Sequence, residues 1–208
     1  MTGKRPKSER SMRKSIIELG VIVVVALGLA VGIQAWVAKP FKIPSGSMEP
    51  TLAIGQRVIV NRLSTHFHSP KVGDILVFHP PVGSDEGRCG STVRKAGQPC
   101  LAPAEDRQSK QYVKRVVGEP GDTLSIVDGH VIRNGKREQD SYIRPCDDEA
   151  AADCDFPTPF KVPAGHYFMM GDNRGNSEDS RFWGPIPKEW IIGGAFMTYW
   201  PAGRIGFM

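Results

Sequence analysis

Between Leu19 and Ala38 the chain runs for 20 residues, LGVIVVVALGLAVGIQAWVA, without a single charge. Wound as a helix at about 1.5 Å per residue, such a run is roughly 30 Å long, the thickness of a bilayer's hydrocarbon core. A core helix of a globular domain would show a polar face at helical spacing. Here Gln34 is the only strongly polar side chain, and Trp36 stands near the end, where interfacial aromatics lie. A cleaved secretory signal has a shorter apolar region, about 7–15 residues, and a small-residue cleavage site behind it. Ala35-Trp36-Val37-Ala38-Lys39-Pro40 is a poor site of that kind. The segment 15–38 therefore reads as an uncleaved transmembrane anchor, and the rest of the fold must be built after it.

The net charge of +5 would suggest a nucleic-acid partner, but its placement argues otherwise. Residues 1–14 hold Lys4, Arg5, Lys7, Arg10, Arg13 and Lys14 against Glu9, which accounts for all of it. The remaining chain is neutral overall, so no basic face is left for nucleic acid. A basic tail before an apolar run, with only Lys39 and Lys42 close behind it, predicts a cytoplasmic N-terminus and an exported domain over 39–208. All four cysteines (Cys89, Cys100, Cys146 and Cys154) fall in that domain, and an even number in an oxidising compartment predicts disulfides. Three pairings are open; Cys89 with Cys100 and Cys146 with Cys154 closes two loops most simply. A metal site is the rival, but the spacing is too wide for a C-x₂₋₄-C pair and no histidine adjoins them.

After Pro50 short apolar runs alternate with turn signals. Strands are expected at Gln56–Val60, Ile75–Phe78, Gln111–Val117, Thr123–Val127, His130–Arg133, His166–Met170 and Ile191–Tyr199. Asp128-Gly129 and Asn134-Gly135 mark tight hairpin turns. Two stretches, about 81–109 and 138–160, are polar, lack a period and each carry two cysteines, so they read as clipped loop insertions. No helix of substance is expected outside the membrane. The fold class is mostly β, a distorted barrel or sandwich.

Three stretches could carry chemistry. In Pro44-Ser45-Gly46-Ser47-Met48-Glu49-Pro50-Thr51-Leu52, flanking prolines fix the backbone while Gly46 lets two hydroxyls converge. In the strand Gln111–Val117, alternation puts Lys114 and Arg115 on opposite faces, so one base points to the more buried side. A lysine desolvated there loses its proton easily and can serve as the base that a serine hydroxyl needs. The third stretch, Gly171 to Arg181, is nearly all polar; Asp179 can pair with Arg181, and Ser177 can hydrogen-bond a lysine. The five histidines are scattered, and no G-x-S-x-G elbow marks a Ser-His triad. His66 and His68 read as residues of a solvated loop.

Together these stretches resemble the bacterial type I signal peptidases. The matching parts are the anchor, Ser45–Leu52, Gly73–Phe78, Tyr112–Asp122 and Gly171–Arg181, in the family's order from the anchor to about residue 181. The resemblance implies a membrane-bound serine endopeptidase that removes signal peptides from exported preproteins. Ser47 would be the nucleophile and Lys114 the general base. The Ser47 N–H and the Ser45 hydroxyl would form the oxyanion hole, Ser177 would orient Lys114, and Asp179 with Arg181 would brace the site. It also implies a catalytic domain of coiled antiparallel sheets, no cofactor and no metal. The enzyme would sit in the bacterial cytoplasmic (inner) membrane as a single-pass protein, its catalytic domain on the outer side. Its partners would be signal peptides, lipid and, by proximity, the secretion machinery. Gly175 departs from the family, where many members have Asp; this removes one partner from the bracing network. Phe41, Ile43 and Met48 lie close enough in sequence to line shallow substrate pockets. A specialised pilin-processing or conjugation-type peptidase of the same clan is the nearest alternative. A membrane-anchored β-module without activity is the non-enzymatic one.

Overall fold

The computed structural model describes residues 7–90, 92–94, 97–146 and 154–208. The first six residues of the basic tail and residues 147–153, the acidic centre of the second expected insertion, lie outside the described residues. Helix α1, Lys7–Trp36, begins well before the apolar run. The basic residues from Lys7 to Lys14 thus belong to the helix. Within it Met12–Gly32 is long and apolar enough to cross a membrane, and none of it is buried in protein. A helix satisfies every backbone group internally, which is what a hydrocarbon surrounding demands.

Only Val37 separates α1 from the first strand. Strands β1 (Ala38–Lys42), β2 (Arg57–Asn61), β3 (Ile75–Phe78), β4 (Arg88–Cys89), β5 (Thr92–Val93), β6 (Tyr112–Gly118) and β7 (Thr123–Val127) follow in turn. Then come β8 (His130–Arg133), β9 (Lys136–Arg137), β10 (Phe156–Lys161), β11 (His166–Met170), β12 (Ile186–Pro187), β13 (Ile191–Trp200) and β14 (Gly206–Phe207). The main sheet has the order β1-β2-β13-β3-β6-β11-β12, with β14 on β13; a smaller sheet runs β10-β7-β8-β9. Every pairing between these strands among the described residues is antiparallel. Register shifts interrupt β13 against both its neighbours and β11 against β6, the bulges by which a long sheet curls. The helices after α1 are single turns, α2 (Ser64–Phe67) and α3 (Ser180–Trp183).

Three apolar clusters fill the domain, and strand alternation distributes residues among them. Strand β3 is buried on both faces: Leu76 and Phe78 enter one cluster with Trp183, Ile75 and Val77 another with Ile43, Met48 and Leu52. Strand β11 likewise sends Tyr167 and Met169 to the first of these, and Phe168 and Met170 to a third beneath the small sheet. Met48 and Leu52 thus anchor the Ser-Gly-Ser loop in core. The turns at Asp128-Gly129 and Asn134-Gly135 have positive φ at both residues, as two-residue hairpins need.

Two edge strands depart from the sequence reading. Strand β1 contains Pro40, and β10 contains Pro157 and Pro159; no strand is expected at either from the sequence. Each lies at the outer edge of its sheet, where a missing N–H costs no ladder bond. The segment expected as insertion 138–160 therefore ends inside a sheet. Both disulfides take the local pairing, Cys89–Cys100 and Cys146–Cys154.

Candidate active site

The Ser-Gly-Ser loop leaves β1, buries Ile43, and makes one 3₁₀ turn over Gly46–Met48. Ser45 precedes the turn in extended conformation, and its Oγ lies 3.4 Å from Ser47 Oγ. The turn begins at Gly46, so the Ser47 N–H falls ahead of its first internal donor and is left for an outside acceptor. A second segment holds this loop from behind. Asn173 N donates to the Ser47 carbonyl (3.1 Å), Asn173 Nδ2 to the Gly46 carbonyl (3.2 Å), and Thr51 Oγ1 to Asp172 Oδ2 (2.5 Å).

Strand β6 supplies two cations, and the structure treats them oppositely. Arg115 forms a bidentate pair with Asp172, Nε to Oδ1 at 2.9 Å and Nη2 to Oδ2 at 2.6 Å, and lies 4.0 Å over the Tyr142 ring. Burial alone would lower its pKa, but the Asp172 carboxylate overrides that and raises it. Lys114 shares the face of Leu76 and Val116 and is only 4% exposed. Among the described residues its Nζ makes no hydrogen bond and no ion pair. The Tyr112 ring centroid stands 6.0 Å away. Burial is the largest influence on this amine and brings its pKa down from 10.5 to about 8; Asp179 opposes the shift and Arg181 adds to it.

Behind Lys114 lies a buried polar knot. Arg181 clasps Asp179 through Nε (2.8 Å) and Nη2 (2.9 Å), and Nη2 also reaches the carbonyls of Arg174 and Ser177. Asp179 accepts further from the Gly171 N–H (3.0 Å) and the Ser177 hydroxyl (2.8 Å), and it caps α3. Burial would push this carboxyl up, but Arg181, Lys114 and the Gly171 N–H together hold it below the usual carboxylate range. The Ser177 hydroxyl spends its proton on Asp179, which leaves its oxygen lone pairs as acceptors. Gly171 is required by space: a Cβ there would run into the Ser177 side chain and the Ser47 carbonyl at once. Gly171→Ala should thus lower kcat by about 10²-fold, because the two segments cannot both keep their places. Steady-state kinetics beside a melting curve would separate this from simple unfolding.

Ser45, Ser47 and Lys114 open onto one groove of about 350 Å³, walled by Ile43, Met48, Tyr112 and Val113, with Asn176 and Glu178 at its rim. Of the three residues expected to line a pocket, Ile43 and Met48 line this groove. Phe41 does not line it and packs instead against the cluster beneath. A larger groove of about 660 Å³ is lined by Arg115 rather than Lys114, and among the described residues no serine lining it is hydrogen-bonded to a base. Ser177, Asp179 and Arg181 are bonded to one another, and Asp179 and Arg181 act on Lys114 through their charges; the expected Ser177–Lys114 hydrogen bond is not made among the described residues, because the Ser177 hydroxyl donates to Asp179. The sequence did not disclose Asp172, Asn173 and Thr51, which pin the serine loop. Their signal was the position of Asp172-Asn173 directly after a buried strand.

A hydroxyl and a buried, partnerless amine opening on one groove form a layout suited to serine hydrolysis. The family model described as signal peptidase, peptidase S26, matches residues 16–200, and the chain belongs to that family. Signal peptidase I of Leptolyngbya laminosa is 38% identical over 97% of this chain and 86% of its own length. Signal peptidase I of Aquifex aeolicus is 32% identical over 93% and 86%. The crystal structure of a signal peptidase I from Enterococcus faecalis aligns with 61% of this chain and 97% of its own, at 23% identity and a TM-score of 0.37. That superposition is too loose for any comparison of site geometry.

Proposed function

We propose that the protein removes N-terminal signal peptides from exported preproteins as a membrane-anchored serine endopeptidase, with Ser47 as nucleophile and Lys114 as general base. The observation that carries the reading is the buried Lys114 amine, unpaired and facing the groove that Ser47 lines. Neutral Lys114 takes the Ser47 proton as Oγ attacks the scissile carbonyl. The Ser47 N–H and the Ser45 hydroxyl receive the developing oxyanion. Lys114 returns the proton to the departing amine, leaving an acyl-enzyme on Ser47. It then deprotonates the water that releases the signal peptide. Ser177 and the Asp179–Arg181 pair hold the loop against which the amine packs. The apolar walls from Ile43, Met48 and Val113 suit the small side chains that precede a signal-peptide cleavage site.

The helix α1 fits a membrane anchor, and the basic residues at its start favour a cytoplasmic N-terminus. The catalytic domain then lies on the outer face of the bacterial cytoplasmic membrane, beside lipid and near the secretion machinery. From Lys39 to Ser47 is eight residue steps, at most roughly 28 Å. The nucleophile is therefore held where the end of a membrane-inserted signal peptide emerges.

The test is cleavage of a preprotein by the full chain in detergent or lipid, followed across pH. One cut after a small-x-small sequence is expected, its rate climbing with pH to a plateau above about pH 8, where Lys114 is neutral. No cut, or a rate indifferent to pH between 6 and 9, would remove the proposal.

A further inference from the structure

The loop that backs Lys114 has a second support, the Cys146–Cys154 disulfide, and each cysteine is tied to that loop through its own flank. Upstream of Cys146, the Arg144 N–H donates to the Asp172 carbonyl (2.8 Å) and the Arg144 carbonyl accepts from Arg174 N (3.0 Å), a parallel bridge alongside Asn173. Cys154 is buried, and its carbonyl accepts from Gly129 N at 3.0 Å. Its Sγ lies 3.7 Å from the Arg174 carbonyl and 3.6 Å from Nη1 of Arg181. Gly129 closes the gap: a Cβ on it would stand 3.1 Å from both Cys146 Sγ and the Arg174 side chain, and its carbonyl accepts from Arg174 Nη1.

The disulfide therefore packs against two buried guanidiniums: Arg181 clasps Asp179, and Arg174 donates to the carbonyls of Gly171 and Gly129. These bonds hold both side chains in place, and water let in beside them would compete for the same carbonyl and carboxylate acceptors. Burial and the neighbouring Arg181 already press the Arg174 guanidinium towards losing its proton.

We propose that the Cys146–Cys154 disulfide is a positioning element of the active site: closed, it keeps water from Arg174 and Arg181 and fixes the loop behind Lys114; opened by a dithiol, it frees that loop and slows cleavage. The inference rests on the reading of Lys114 as the base. Opening is ordinary exchange. The dithiol gives up two electrons and two protons, the S–S bond breaks, two cysteine thiols form, and the reductant closes to a cyclic disulfide.

The charged and polar groups facing Lys114 are Asp179, Arg181, Glu178 and Asp172, together with the Tyr112 ring. None of them pairs with it, so burial by the loop sets its acidity. A loosened loop admits water, and the amine then returns from about 8 towards 10.5. Below the midpoint, each pH unit of that rise lowers the neutral fraction, and the rate, about tenfold.

The experiment uses the full chain in detergent micelles, in a Cys89→Ala/Cys100→Ala background so that one disulfide remains. Preprotein kcat/KM is read against pH when oxidised, after dithiothreitol, and after re-oxidation, with thiol alkylation counting two new thiols. The midpoint should move upward by one pH unit or more on reduction, with about a tenfold loss at pH 7.5 carried by kcat, and both should reverse on re-oxidation. An unchanged midpoint and rate in the reduced, alkylated enzyme overturns the proposal, even if its melting temperature falls. An oxidised enzyme that cleaves nothing overturns the functional reading instead. If the background fails to fold, Cys146→Ala/Cys154→Ala in the otherwise native chain must show the raised midpoint and lose its response to dithiothreitol.

Discussion

Ser47→Ala should leave less than about 10⁻⁴ of the wild-type kcat on a preprotein, with KM little changed. Among the described residues the other serine of the groove is Ser45, its hydroxyl 3.4 Å away, and it cannot substitute. Ser45 lies outside the 3₁₀ turn, whereas Ser47 lies within it and has its carbonyl bonded to Asn173. The substitution leaves the Asn173 bonds to the loop intact, because both go to backbone carbonyls. Folding should therefore survive, and the inert protein should still hold its substrate. Single-turnover cleavage with a parallel binding assay checks both halves. A Ser47→Ala enzyme that retains a tenth of the activity would dismiss Ser47 as nucleophile.

The second large effect concerns Lys114, and it has two parts of opposite sign. Lys114→Met should lose about 10⁴-fold or more in kcat, and Lys114→Arg as much, since a guanidinium keeps its proton at any working pH. Lys114→Met should nevertheless be the more stable protein at pH 7. An amine whose folded pKa is about 8 against an ordinary 10.5 is an ammonium in both folded and unfolded chains below pH 8, and only the folded chain buries it. The cost is about 3 kcal/mol below pH 8. It fades as pH rises from there to the unfolded value, above which both states are neutral. Denaturant melts of wild type and Lys114→Met at pH 7 and pH 10.5 should thus differ widely at the first and converge at the second. Equal stabilities at pH 7 would mean that Lys114 is not desolvated in the folded enzyme.

Alternation along β6 was enough to see that Lys114 and Arg115 face opposite ways, but not which of them would stay unpaired. That depends on Asp172, 57 residues further on, which reaches Arg115 and not Lys114. Strands β3, β7, β8 and β11 were legible to the residue, because each is a compact apolar run between turn signals. Strands β1 and β10 were not, because their prolines look like breakers until the sheet order shows them at edges. The bracing network was only half visible. Asp179 and Arg181 stand two apart and announce a pair, while Gly171 and Asn173 gain meaning only when the serine loop is found against them.

The order in which the pieces of the site occur along the chain also has a consequence in time. Ser47 is synthesised early, Lys114 midway, and Gly171 to Arg181 near the end. Asn173 must arrive before the serine loop is pinned, and Asp179 before the wall behind Lys114 exists. On the reading proposed above, a growing chain that has made Ser47 and Lys114 is still without a working site. On that reading cleavage begins only once the segment from Gly171 to Arg181 has packed home, so a neighbouring polypeptide meets either no protease or a finished one.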